Sequence, residues 1–335
     1  MLELNVHRYQ FNGELKAPLQ LNAYSGSMLR GAFGHALRKL ACVTKMEHCK
    51  QCLLYRQCVY PQLFEPPVPL HTELQQFSAI PSPFIIEPPP IGESYLSKGG
   101  NLQFNMVLIG QANQQLAFII EAWKRAFQQG LGKQQAQVVL RAVYHQSPDN
   151  NQVLMYPTRQ SQLQVVPINK VLDFMHTDTM TLSFVTPLRI QQKGKILSEH
   201  MTAKDFLMAL VRRYYLLQEF YGIDYQAPQF SELAIKAASI TCDVQFQWYE
   251  WQRYSSRQKQ AMKFGGVLGA LQLQGDLSVF LSILYLGQWV HVGNKTSFGM
   301  GQYKILHIIV DVLLIFKFFS NFIHVDSFGF FKKIF

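Results

Sequence analysis

MTLSFVTPLRI (residues 180–190) alternates apolar and polar side chains, with Leu182 and Phe184 on one face, and this period of two marks a half-buried β-strand. Working outward, Thr202-x-x-Asp205 caps a helix that carries Phe206, Leu210, Tyr214 and Leu217 along one stripe and stops at Gly222. Ile240, Cys242, Val244, Phe246 and Trp248 alternate strictly as a second strand. KFGGVLGALQLQ (263–274) is interrupted by glycine but compatible with a third. An Asp276 cap opens a short helix through Leu277, Phe280, Leu281 and Leu284 to Gly287, and QYKILHIIV (302–310) closes the set. The order β-α-β-β-α-β is that of the ferredoxin-like unit.

The first half is a looser copy. It offers a strand at 2–12, a helix at 27–41, a strand at 101–110, a helix at 115–129 ending at Gly130 and a strand at 136–144, while one strand of the unit is not identifiable. Between the first helix and the next strand lies an insertion, about 42–98, holding four cysteines and the prolines 66, 67, 69, 81, 83, 88, 89 and 90. Proline donates nothing to a β-ladder, so this stretch is expected to run extended over the surface. The fold class expected is α+β, with two ferredoxin-like domains in tandem, 1–150 and 171–310. The boundary falls in the polar stretch 146–170, and an apolar tail covers 311–335.

With 335 residues, 48% of them hydrophobic, the chain is long enough for about two domains with cores of their own. Lys and Arg number 31 against 21 Asp and Glu, a formal charge of +10 spread along the chain. Such a balance favours a polyanion, because each phosphate neutralised releases condensed counterions. The opening MLELNVHRYQF has no basic segment followed by an unbroken apolar run, so no secretory signal is read and a cytoplasmic location is expected. His307, Asp311, Lys317 and His324 interrupt the apolar tail. A charge at the bilayer centre costs roughly 2.5–3.5 kcal/mol, so neither a spanning helix nor a membrane partner is expected.

Cys42-x6-Cys49-x2-Cys52-x5-Cys58 supplies four thiolates within 17 residues. In a reducing compartment such clustering points to metal. Four protein ligands would close a tetrahedral structural zinc site, leaving no open position for catalysis; an iron–sulfur cluster, with His48 as a substitute ligand, stays open as the alternative.

The loop Gly293-Asn294-Lys295-Thr296-Ser297-Phe298-Gly299-Met300-Gly301 combines backbone freedom with one cation and two hydroxyls. Glycine lets a main chain approach phosphate closely and Lys295 neutralises charge there, so Gly293, Lys295, Ser297, Gly299 and Gly301 are expected phosphate contacts. The nucleotide P-loop spacing and the dinucleotide fingerprint are both absent. A glycine hairpin shaped only for packing is the bland alternative. Residues 248–259 (WYEWQRYSSRQK) interleave aromatic rings with Arg253, Arg257 and Lys259, a mixture that suits single-stranded RNA. The same stretch also reads as a plain strand connection with Trp248 buried, and Arg212-Arg213 on the 203–221 helix as solvated cations.

Five segments in order, LRGAFGHALRKLAC (29–42), CKQC with Cys58-Val59-Tyr60 and Leu63-Phe64-Glu65-Pro66, TPLRI (186–190), WQRYSSRQ (251–258) and HVGNKTSFGMGQY (291–303), resemble the CRISPR-associated pre-crRNA processing endoribonuclease family of the RAMP superfamily. The resemblance covers nearly the whole chain. It implies two ferredoxin-like (RRM-like) domains, a glycine-rich loop near the C-terminus, CRISPR repeat RNA as the partner and cleavage without a metal cofactor. Other CRISPR effector subunits are further possible partners, and a non-cleaving RAMP subunit of an effector complex is the alternative reading.

On a helix over 27–41, Leu29, Phe33, Ala36, Leu37 and Leu40 form the apolar stripe, leaving Gly31, His35, Arg38 and Lys39 on the other side. An imidazole facing solvent, with two cations three and four residues on, is suited to proton transfer beside a phosphate. His35 is therefore the expected acid–base group and Arg38 an expected RNA contact. Related nucleases often use a histidine on or near the first helix, sometimes aided by a tyrosine and a lysine, and the resemblance carries those roles to Tyr24 and Lys39. His291 is the reserve. Gly31 and Gly34 each weaken the helix by roughly 1 kcal/mol against Ala, which suggests the close approach of another backbone or of RNA.

Overall fold

The computed structural model describes residues 4–68, 80–149, 151–157, 177–192, 194–198, 200–223, 225–255 and 260–306. The first half runs β1 (Val6–Leu15), β2 (Leu19–Leu21), α1 (Gly26–Ala41), α2 (Val59–Phe64), β3 (Phe84–Glu87), β4 (Ser94–Leu96), β5 (Asn101–Ile109), α3 (Leu116–Gln129), β6 (Val138–Gln146) and β7 (Gln152–Tyr156). The second half runs β8 (Thr179–Leu188), β9 (Gln191–Gln192), β10 (Lys195–Ile196), α4 (Ala203–Tyr221), α5 (Phe230–Ala238), β11 (Thr241–Ser255), β12 (Gln260–Gln274), α6 (Leu281–Val290) and β13 (Tyr303–Leu306).

Both large sheets are antiparallel. The C-terminal one has the order β11-β12-β8-β13, which for the sequence β8-α4-β11-β12-α6-β13 is the ferredoxin-like arrangement. The capping box forms as expected: the Thr202 hydroxyl accepts from the Asp205 N–H at 3.1 Å, and the Asp205 carboxylate accepts from the Thr202 N–H at 3.1 Å. Asp276 accepts from the Ser278 N–H at 3.0 Å, but the helix starts later than expected, at Leu281, and runs past Gly287 to Val290. The helix α5 was not anticipated.

The N-terminal sheet has the order β3-β5-β1-β6-β7, so β3 is the strand that the sequence did not reveal. It lies inside the proline-rich stretch, whose expected surface course is thereby corrected: all four residues of Phe84–Glu87 are buried. Pro83 and Pro88 bracket it at the sheet edge, where a missing N–H costs no ladder bond. Residues 94–96 pair with β2, so the segment from β3 onward is part of the sheet framework, not of a surface insertion. The strand expected at 302–310 is described only to Leu306. The tail from 307 and residues 158–170 of the expected boundary stretch 146–170 lie outside the described residues, while Gln152–Tyr156 within that stretch forms β7 and pairs with β6.

The two halves share a core. On β5, Leu102, Phe104, Met106 and Leu108 pack with Leu29, Phe33 and Leu37 of α1 and Trp123 of α3. The alternate residues Val107 and Ile109, with Ile85 of β3, join the C-terminal core of Leu182, Phe206, Leu210, Leu271 and Leu284. The period of two thus sends one face of a single strand to each half. No helix among the described residues is long and apolar enough to cross a membrane.

Candidate active site

Three elements distant in sequence converge on the start of α1. A small cluster of Tyr24, Trp251 of β11 and Met300 of the glycine-rich loop joins them, the Tyr24 and Trp251 rings lying 4.8 Å apart. The Tyr24 hydroxyl donates to the Phe298 carbonyl at 2.8 Å, and the Tyr249 hydroxyl donates to the Ala23 carbonyl at 3.3 Å. One turn into α1, Arg30 Nε donates to Ser297 Oγ at 3.1 Å, and its guanidinium lies 4.6 Å from the Phe298 ring and 4.8 Å from that of Phe64.

Close backbone approach explains the glycines at this junction. A Cβ on Gly26 would stand 2.1 Å from the Phe298 carbonyl oxygen. One on Gly299, whose φ is +89°, would stand 2.3 Å from the Ile86 oxygen. Gly299 and Gly301 are buried, so the glycines are accounted for by packing within the protein, whereas Asn294 and Lys295 are the exposed residues of the loop. Ser297 is half-buried beneath Arg30.

Beneath the loop lies a buried charge network that the sequence did not announce. Glu87, at the end of β3, accepts from Arg8 at 2.7 Å, Gln302 at 2.9 Å and Asn105 at 3.1 Å, and pairs with His291 Nε2 at 3.1 Å. Burial pushes its carboxyl up, but Arg8 and His291 outweigh that and hold it at about 2. His291 Nδ1 lies 3.1 Å from the Met300 carbonyl, and burial drives its own pKa down against the pull of Glu87. His291 is wholly buried, so as reserve acid–base group it is corrected to a brace that ties the loop to β3. The one available signal was a carboxylate closing the apolar run FIIE.

His35 and Lys39 are exposed on the outer side of α1, as their spacing predicts. His35 lies five residues beyond Arg30, about 140° around the helix and about 7.5 Å along it. Among the described residues it forms no hydrogen bond or ion pair, so the structure places it on the solvent face without joining it to the loop. Tyr24, by contrast, is buried, with burial first and then Glu87 pushing its phenol well above the usual range. Its hydroxyl is committed to Phe298, which makes it a positioning group. A Cβ on Gly34 would stand 2.7 Å from the Phe64 ring, but nothing described stands within 4 Å of one on Gly31.

Arg38 Nη2 donates to the Met46 and Glu47 carbonyls at 2.8 and 2.6 Å, so it braces the cysteine segment instead of facing outward. Cys42, Cys49, Cys52 and Cys58 line one cavity of about 20 Å³, the size of a single ion or water. Among the described residues, no group of three or more His, Cys, Asp or Glu is arranged to hold a metal ion. Burial raises the Cys49 thiol, while the Thr44 hydroxyl lowers that of Cys52. Trp248 is half exposed, not buried, and its ring covers Gly265, where a Cβ would meet it at 2.2 Å. Arg253 lies in β11; Arg257 and Lys259 lie outside the described residues.

The site is thus a basic glycine-rich loop clasped to the first helix where two antiparallel sheets meet. Residues 182–303 match the family model of the CRISPR-associated endoribonuclease Cas6, and residues 4–168 match a model described as an N-terminal domain. The C-terminal part of the chain, residues 182–303, is thus similar to the CRISPR-associated Cas6 endoribonucleases. Among solved structures it is similar to a partial Cas6-RT-Cas1–Cas2 complex, with TM-score 0.58 and 13% identity over 92% of this chain. A Cas6 product complex matches at TM-score 0.55 and 14% identity, over 90% of this chain and 100% of that one. A Thermus thermophilus Cas6 matches at 0.53 and 14%, over 90% of this chain and 98% of that one. The chain spans about half, 48%, of the Cas6-RT-Cas1–Cas2 chain it matches. At these identities the likeness is one of fold. No curated protein matches the sequence.

Proposed function

We propose that the protein is an endoribonuclease that binds CRISPR repeat RNA and cuts the precursor within it, by attack of a ribose 2′-oxygen on the adjacent phosphate. The observation that carries this reading is the Cas6 family match over 182–303, the span whose basic loop is built onto α1 through Gly26, Tyr24 and Arg30. His35 transfers the proton, Lys39 neutralises charge on the phosphate from the next turn, and Tyr24 holds the loop in place. Such a reaction needs an acid, a base and cations, and no metal ion takes part in it. Incubating the protein with cognate repeat RNA in EDTA tests the reading: cleavage leaving a 2′,3′-cyclic phosphate or 3′-phosphate end supports it. Retention of intact RNA supports a non-cleaving subunit instead. The fold match to a Cas6-RT-Cas1–Cas2 chain supports action beside other CRISPR subunits.

The four cysteines, gathered on one ion-sized cavity next to α1, are proposed to close around a structural zinc. They would fix the 42–58 segment to the helix that carries His35, with no part in the chemistry.

A further inference from the structure

A second cavity, of about 790 Å³, opens between α4, α5, the β9–β10 hairpin and the first two residues of the glycine-rich loop, Gly293 and Asn294. Its volume falls in the range of about 300–1,000 Å³ typical of ligand sites. Lys204, Arg212 and Arg213 line it from α4, and the Tyr215 and Phe230 rings meet edge to face across it at 6.0 Å. Of its two acidic residues, Asp205 already serves the capping box, and the other is Glu219. Arg213 forms no ion pair among the described residues. Its Nε donates to the Val290 carbonyl at 3.3 Å, and its Nη2, shut off from solvent, has no partner. A guanidinium held without a carboxylate leaves an uncompensated positive potential at the cavity floor. Phe230 is exposed, an aromatic face turned to water at the mouth.

We propose that this cavity receives a nucleotide from the single-stranded part of the RNA that crosses the glycine-rich loop, the base against Tyr215 and Phe230 and the phosphate beside Lys204 and Arg212. Rings and cations interleaved in one groove are the combination by which single strands are held, since every base offers a face to stack and every link a charge. Continuity sets the path. Asn294 lines the cavity and is followed at once by exposed Lys295, so a strand lying on the loop reaches the mouth within a nucleotide or two. The Asn294 amide donates to Gln191 Oε1 at 3.3 Å, which ties the loop to the hairpin that forms the far wall.

This inference rests on the RNA-binding reading above, and the test separates the two. Arg212→Ala/Phe230→Ala, both exposed positions, is compared with Lys295→Glu and wild type for repeat RNA affinity by fluorescence anisotropy. Thermal unfolding confirms that each variant is folded, and Lys204→Glu stands in should the double variant not be. The double variant is expected to bind about tenfold or more weakly, with a salt slope shallower by about one ion, and 4-thiouridine in the repeat is expected to crosslink to Tyr215 or Phe230. Full affinity in the double variant, with weakened binding in Lys295→Glu, overturns the cavity site and leaves the RNA reading standing. Absence of RNA binding by the wild type overturns both.

Discussion

Two glycines five residues apart on α1 are expected to respond in opposite directions to the same substitution. In Gly26→Ala the new Cβ is placed 2.1 Å from the Phe298 carbonyl oxygen and 2.8 Å from the Tyr24 ring. A C···O contact of this kind normally sits at about 3.3 Å or more, so the helix start and the loop must part by about 1 Å. Both neighbours at the tight point are held, Phe298 by Tyr24 and the loop by Arg30, so the strain is not relieved by rotating a side chain. Overpacking of this sort costs about 1–3 kcal/mol, and loss of one hydrogen bond adds about 1, giving an expected loss of about 2–4 kcal/mol. Gly31→Ala meets nothing within 4 Å and lies mid-helix, so it is expected to gain up to about 1 kcal/mol. Urea unfolding of both variants measures the difference. Equal midpoints would refute the claim that the loop is clamped to α1 at Gly26.

Lys295→Glu is expected to weaken repeat RNA binding and flatten its dependence on salt, as measured by affinity between about 50 and 200 mM salt; unchanged binding removes the loop from the interface. The His7–His145 pair predicts an acid-sensitive fold. His7 Nε2 donates to Asn5 Oδ1 at 2.7 Å, so its Nδ1 accepts from His145 Nε2 at 2.9 Å, and a proton added to His7 at Nδ1 opposes N–H to N–H. Burial, then His145, lowers His7 from 6.5 to about 4. The unfolded chain therefore takes the proton first, and stability present above pH 6.5 falls by about 3 kcal/mol on the way to pH 4. Denaturation midpoints across that window should show a slope that His7→Gln diminishes, and an equal slope in the variant contradicts the assignment. For the cysteines, elemental analysis of anaerobically purified protein is expected to find about one zinc per chain and no visible absorption. A coloured iron-containing protein points to an iron–sulfur cluster, and colourless metal-free protein removes the site.

The second half of the fold was legible because its elements advertise themselves locally. β8 alternates, α4 carries a capping box, and both signals lie within a few residues of the structure they specify. β3 was not, since a strand with all four residues buried reads as a short apolar run without period, here among prolines that argue for a loop. α5 was hidden for the opposite reason, with Phe230 and Ile235 exposed on a helix that buries only Ala237. At the site, the helix, the loop and the outward face of His35 followed from spacing. What the glycines do did not, because Gly26 meets Phe298, and Glu87 meets His291, across more than 200 residues of chain. Contacts of that separation leave no local pattern.

The most direct test is single-turnover cleavage of cognate repeat RNA in EDTA by the wild type and by His35→Ala, with affinity measured in parallel. The account predicts that the variant binds within a few fold of wild type while its cleavage rate falls by about 10² or more, the scale of one acid–base group. Cleavage at the wild-type rate by His35→Ala would contradict it.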